Sequence, residues 1–336
     1  MGVDLTLIWA LIIIFGIMMY VIMDGFDLGI GILFLAIKNK EERDVMMNTV
    51  APVWDGNETW LVLGGAGLFG AFPLAYSVLL SALYLPLVLM LLGLIFRGVA
   101  FEFRFKASDR NRHWWDKAFI GGSIVATFAQ GVALGAFIDG IPVANNAYAG
   151  GSLDWLSPFP IFCGFALLVA YAQLGSTWLI MKTEGQLQAE MYRYSSYFIW
   201  ILLFAIAIIS IWTPLSHPQI AQRWFSLPNL IYFLPVPALL LFSFFATLIT
   251  LAHRATVTPF MLTLLVIFLG YSGLGISVWP NIIPPAVSIW QAASPVQSQL
   301  FALIGALFIL PFILMYTSWS YYVFRGKVKV GEGYHH

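Results

Sequence analysis

Asp24 and Asp27 interrupt the apolar run MMYVIMDGFDLGIGILF, and Asp55 and Glu58 open the run APVWDGNETWLVLGG. Arg97 lies in FRGVAFEFR, with Glu102 five residues on and Lys106 just beyond. Both acidic pairs are spaced by three, which puts the two carboxylates on neighbouring parts of one helical face. A carboxyl group set among hydrocarbon can exchange a proton near neutral pH, whereas an arginine alongside favours the anion. The chemistry these residue types could perform is proton transfer.

The elements that must position them follow from composition. The chain has 336 residues, of which 60% are hydrophobic and only 10% charged, with a formal net charge of zero. An ordinary soluble domain carries about 25% charged residues. A soluble monomer of this composition could not cover its exterior with polar groups, so the chain reads as an integral membrane protein. With no cationic excess to track phosphates, nucleic-acid binding is excluded. The single cysteine, Cys163, cannot pair within the chain. The first apolar run has no basic leader and reads as a membrane helix rather than a cleaved signal.

A spanning helix needs about 20 mostly apolar residues. The expected spans are 6–36, 52–73, 77–103, 117–139, 158–181, 194–213, 227–253, 258–279 and 297–324. The expected fold is therefore an all-α polytopic membrane protein of about nine transmembrane helices. The spacing fits two four-helix bundles plus one peripheral helix, in a single domain covering 1–336 with no separate soluble part. Fourteen loop and tail cations fall on one side of this topology and Arg223 alone on the other. By the bias of basic loops towards the cytoplasm, the N-terminus faces out and the C-terminus faces in.

On that topology every one of the chemistry-bearing residues lies in the cytoplasmic half of the bilayer or at its centre. With a rise of 1.5 Å per residue, Asp27 is about 15 Å inward of the basic loop and Asp24 about 20 Å. A charge at the middle of a span costs about 2.5–3.5 kcal/mol on insertion scales, so such residues need partners, protons or water. Bland readings exist for some of them. Asp55 just after Pro52 suits a helix N-terminus, and Arg97 could simply neutralise one carboxylate to hold helices together. Asp24 and Asp27 are harder to dismiss because they sit deep in the span, and the cluster as a whole reads as a polar inlet from the cytoplasm. Gly25, Gly29, Gly64, Gly65, Gly67 and Gly70 read as close-packing sites between helices.

The five histidines, His113, His217, His253, His335 and His336, all fall in loops, at helix ends or in the tail. None stands mid-span where a haem iron would need an axial ligand. No cluster has metal-ligand spacing, and GGAGLFG lies inside a membrane helix, where a phosphate loop makes no sense. Any redox cofactor is expected in a partner.

The runs MDGFDLGIG (23–31), APVWDGNETWLVLGG (51–65) and FRGVAFEFR (96–104) resemble subunit II of the cytochrome bd quinol oxidases. The resemblance extends to the basic tail GKVKVGEGYHH, although the middle and last thirds match in hydropathy and length more than in motif. It implies a haem-free subunit in a bacterial cytoplasmic membrane, paired with a subunit I that carries haems b and d, oxidises quinol and reduces oxygen to water. Protons for that water enter from the cytoplasm. The resemblance implies that Asp55 belongs to the proton route, that Glu102 and Lys106 stand near its mouth, and that Arg97 is an ion-pair partner. Glu58, Asp24 and Asp27 join the same route, and Trp60 resembles a tryptophan at the entrance of a lateral oxygen channel. A small single-helix subunit would be compatible, as would a bound quinone, though compact outer loops count against the latter. The competing reading is a proton- or sodium-coupled secondary transporter. The sequence lacks the paired broken helices that would favour it.

Overall fold

A computed structural model of the chain describes residues 4–329 and residue 331. The end of the basic tail, with His335 and His336, lies outside the described residues. The chain folds as helices α1 (Leu5–Leu33), α2 (Lys40–Asn48), α3 (Trp54–Ala71), α4 (Pro73–Ala82), α5 (Tyr84–Arg104) and α6 (Arg112–Asp139). After the hairpin β1 (Val143–Ala144) and β2 (Ala147–Tyr148) come α7 (Pro158–Lys182), α8 (Gly185–Ser216), α9 (Pro218–Phe225), α10 (Asn229–Phe233), α11 (Pro235–Ala252) and α12 (Thr258–Val278). A second hairpin, β3 (Asn281–Ile283) and β4 (Val287–Ser288), leads to α13 (Ile289–Ala292) and α14 (Val296–Val323).

Local chemistry explains many of the helix starts. Asp4 caps α1 by accepting from the Leu7 backbone N–H at 3.1 Å, and its other oxygen accepts from Trp290 Nε1 at 2.9 Å. The indole hydrogen bond holds the Asp4 carboxyl below its usual range. Proline occupies the first turn of α4, α7, α9, α11 and α12, where its missing N–H costs nothing.

Among the described residues, eight helical segments are long and apolar enough to cross a membrane, counting α10 and α11 as one. The expected span outside these eight, 52–73, corresponds to α3. Its eighteen residues reach about 27 Å at the helical rise, but Asp55, Asn57 and Glu58 lower its hydropathy. The expected third span, 77–103, is cut at Leu83: α4 ends at Ala82 and α5 starts at Tyr84. Pro86 accounts for the break, because its ring would strike the carbonyl of residue 82 in a continuous helix. The structure also adds α2 where a plain loop is expected, and α2 buries its own Val45, Met46 and Met47.

The helices pack as two groups of four, α1/α3/α5/α6 and α7/α8/α11/α12, joined where α1 and α6 meet α7. α14 lies at the periphery against α1 and α3, burying only Gln299 and Leu303. Glycines set the closest approaches. A Cβ added at Gly29 would lie 1.9 Å from the Tyr171 carbonyl oxygen, and one at Gly175 would lie 2.7 Å from Gly29, so α1 and α7 touch backbone to backbone. Gly93 and Gly122 do the same for α5 and α6. The close-packing reading holds for Gly25, Gly29, Gly64 and Gly67. It fails for Gly65 and Gly70, whose Cβ positions meet nothing within 4 Å because that face of α3 is exposed.

Candidate proton-transfer site

The centre of the site is Arg97. Its Nη1 lies 2.5 Å from Asp24 Oδ1 and its Nη2 lies 3.2 Å from Glu58 Oε2, so one guanidinium joins α5 to α1 and α3. Arg97 and Asp24 are wholly buried, whereas the Glu58 side chain keeps 29% exposure. Trp54 presents its ring face to the guanidinium at 5.9 Å and is itself stacked on Phe101. The planar, always-charged guanidinium is suited to this position, since it can serve two carboxylates at once.

A second branch runs from the same face of α1. Asp27, also fully buried, accepts from Asn57 Nδ2 at 2.8 Å, and Asn57 Oδ1 accepts from the Tyr321 hydroxyl at 2.8 Å. This branch ties α1 and α3 to the peripheral α14. Asp24 Oδ2, Asp27 Oδ1 and Arg97 Nε are buried with no hydrogen-bond partner among the described residues. Three carboxylates thus face one guanidinium in a membrane interior, a charge imbalance that protons can neutralise. Beyond Asp24 lies a third group of polar side chains. Gln130 donates to the Tyr20 hydroxyl at 2.7 Å and accepts from the Tyr171 hydroxyl at 3.0 Å.

The structure brings together Asp24, Asp27, Glu58 and Arg97 and leaves the other expected residues apart. Asp55 stands exposed on the outward face of α3, within electrostatic reach of Glu58. Glu102 and Lys106 are exposed by 62% and 75% and pair with each other at 3.3 Å, one helical turn apart. Trp60 is buried between α1 and α3, edge-on to the half-exposed Phe15 with ring centroids 5.7 Å apart.

Asn57, Tyr321 and Trp54 were not anticipated. The signal for Asn57 was present, because it leads the stripe Asn57, Trp60, Gly64, Gly67 and Ala71 that α3 buries. A helix with that stripe inward must turn Asp55 outward. Also missed was a lattice at the end of the bundle where α5 finishes. Arg104 bonds Asp44 and Asp116 at 2.6 and 2.5 Å, Arg43 bonds Asp116, and Arg112 bonds Asp44. The sequence reads these arginines as plain loop cations, yet Arg104 is fully buried.

Of the described histidines, His113 lies in the first turn of α6, and His217 and His253 follow the ends of α8 and α11. Among the described residues no group of three His, Cys, Asp or Glu side chains could hold a metal ion.

Residues 5–324 match the family model of the cytochrome bd terminal oxidase subunit II. The chain belongs to that family. Subunit 2 of the cytochrome bd-I ubiquinol oxidase of Escherichia coli K12 is 28% identical over 361 residues, covering 96% of this chain and 95% of the relative. Subunit 2 of the Bacillus subtilis cytochrome bd ubiquinol oxidase is 28% identical over 337 residues, covering 97% of each. The solved structure of the bd oxidase from Geobacillus thermodenitrificans matches the fold with a TM-score of 0.73 at 17% identity, covering 93% of this chain and 99% of that one. The family match runs from the first span to the last, and it leaves no support for the transporter reading.

Proposed function

We infer that this chain is the haem-free subunit II of a bd-type quinol oxidase and carries protons from the cytoplasm towards a partner that reduces oxygen. The partner is a subunit I holding haems b and d, which oxidises quinol and gives its electrons to oxygen. The single observation that supports the proton role is the buried Asp24–Arg97–Glu58 cluster, with Asp27 beside it. Glu58 alone among these keeps access to the exterior, so it is the natural acceptor of an incoming proton.

In this reading Glu102 and its partner Lys106 stand near the mouth, and Asp55 passes protons along the exposed face of α3. Arg97 holds the Asp24 and Glu58 carboxylates in place through its two ion pairs. Asp27, paired to the amide of Asn57 rather than to a cation, is free to change charge. The N-terminus then faces out, with the Arg104 end of the bundle in the cytoplasm of a bacterial inner membrane. Trp60 with Phe15 forms a lateral apolar entrance for oxygen.

The test uses the purified complex in liposomes that enclose a pH indicator. Glu58→Gln should slow proton uptake and quinol-driven oxygen consumption together, with the partner's haem absorption unchanged. Undiminished uptake would remove Glu58 from the route. Failure of any haem-bearing protein to co-purify with the chain would remove the subunit assignment itself.

A further inference from the structure

At the end of the bundle away from Arg104, the C-terminus of α6, the start of α9, the end of α12 and the β3–β4 hairpin enclose a cavity of about 170 Å³. Its polar walls are Asp139, His217, Gln219, Arg223, Ser277 and Asn281. The carboxylate of Asp139 is already matched. One oxygen faces His217 Nε2 at 3.2 Å and the other accepts from Ser157 at 3.2 Å. Arg223 uses Nη1 to hold the Ile276 carbonyl at 3.1 Å. Its remaining nitrogens, and the side-chain amides of Gln219 and Asn281, have no protein partner among the described residues. The cavity therefore combines a carboxylate held by His217 and Ser157 with an Arg223 guanidinium that keeps hydrogen-bond donors free.

The surroundings indicate where its ligand comes from. α9 has no buried residue, and Leu215, Phe225 and Leu227 beside it are 78%, 63% and 72% exposed. A short helix with apolar residues outward, at the level where spanning helices end, lies in the plane of the headgroups. Donors in a pocket with bare apolar surface next to it suit a molecule with an anionic head and an alkyl tail. An arginine near the membrane surface attracts anionic headgroups, and a guanidinium can give a phosphate two parallel hydrogen bonds.

We propose that this cavity binds the phosphodiester headgroup of an anionic phospholipid, with Arg223 and Asn281 as its recognition residues. The bound lipid would bridge the two helix groups, because α6 belongs to one and α12, on which α9 packs, to the other. Neither residue touches the Arg97 cluster, so the site is separate from the proton route and does not depend on that assignment.

The experiment is native mass spectrometry of the complete, delipidated complex incubated with phosphatidylglycerol micelles, with inorganic phosphate as competitor. Arg223→Gln should weaken phosphatidylglycerol retention about tenfold, as expected for losing one charge-assisted hydrogen bond. Asn281→Ala should weaken it severalfold, and Arg110→Gln at the other end of the bundle should leave it unchanged. Haem absorption of the complex monitors folding in each case. Equal retention by the wild type, Arg223→Gln and Asn281→Ala would overturn the proposal. Displacement of the lipid by millimolar inorganic phosphate would also overturn it, since the site would then serve a free anion.

Discussion

Arg97 and Asp24 approach to 2.5 Å with neither side chain exposed, while Arg97 also reaches Glu58 at 3.2 Å. The guanidinium is thus shared between a carboxylate that water cannot reach and one that it can. Removing one member of a buried pair costs about 3–5 kcal/mol, because the other charge is left without compensation. Arg97→Gln strands two carboxylates, whereas Asp24→Asn leaves Arg97 with Glu58. Thermal unfolding of the complex should therefore show a larger loss for Arg97→Gln than for Asp24→Asn. The double variant should lose less than the sum of the two. Strict additivity would mean that the pair contributes nothing.

Asp55 stands on an exposed face of α3 and within electrostatic reach of Glu58. Asp55→Asn should slow oxygen reduction by on the order of tenfold to a hundredfold, the range for loss of a positioned proton carrier. Haem content and assembly should be unaffected, because no described side chain depends on Asp55 for a hydrogen bond. Normal turnover with intact haems would exclude Asp55 from the route.

Two glycines that look alike in sequence should behave in opposite ways. Gly29→Ala places a methyl group 1.9 Å from the Tyr171 carbonyl, and overpacking of this kind costs about 1–3 kcal/mol or more. Gly65→Ala meets nothing within 4 Å in the isolated chain. The yield of correctly folded subunit, measured before assembly with a partner, should fall for Gly29→Ala and stay level for Gly65→Ala.

The β1–β2 hairpin carries a pH dependence that can be assigned to one residue. Tyr148 donates to the Gly151 carbonyl at 2.7 Å and to Asp154 Oδ2 at 3.1 Å. Partial burial and the Asp154 carboxylate push its phenol from 10.0 up to about 12. A raised folded value means that the contribution is complete below pH 10 and is lost as pH rises through 12. Tyr148→Phe should abolish this alkaline transition in local hydrogen exchange at Gly151 and Asp154, and its persistence would point to another group.

Hydropathy and the bias of the loop cations made the helices legible, because a lipid solvent imposes length and composition on each span. The break at Leu83 was less visible. It depends on Pro86 acting on a carbonyl four residues earlier, within a stretch that stays apolar throughout. In the site, depth along the chain located Asp24, Asp27, Glu58 and Arg97 together, since depth needs only the helical rise. Rotation about the helix axis was read less well. Asp55 and Glu58 are a neighbouring pair by spacing, yet the inward stripe of small and aromatic residues on α3 buries Asn57 and turns Asp55 out. Tyr321 could not be found by spacing at all. Its meeting with Asn57 joins residues 264 positions apart in the chain.

The backbone contact between Gly29 and Gly175 has a mechanical consequence. Alternating access in a transporter requires one group of helices to rock against another, and such rocking needs a compliant seam. Here, at Gly29 and Gly175, α1 and α7 meet through α-carbons and carbonyls with no side chain between them to repack, so a tilt at that point would drive backbone into backbone. The carboxylates of α1 are carried on a stator. On the proposed route, a proton would pass Asp24 and Asp27 as stations fixed on a helix that glycine locks against its neighbour.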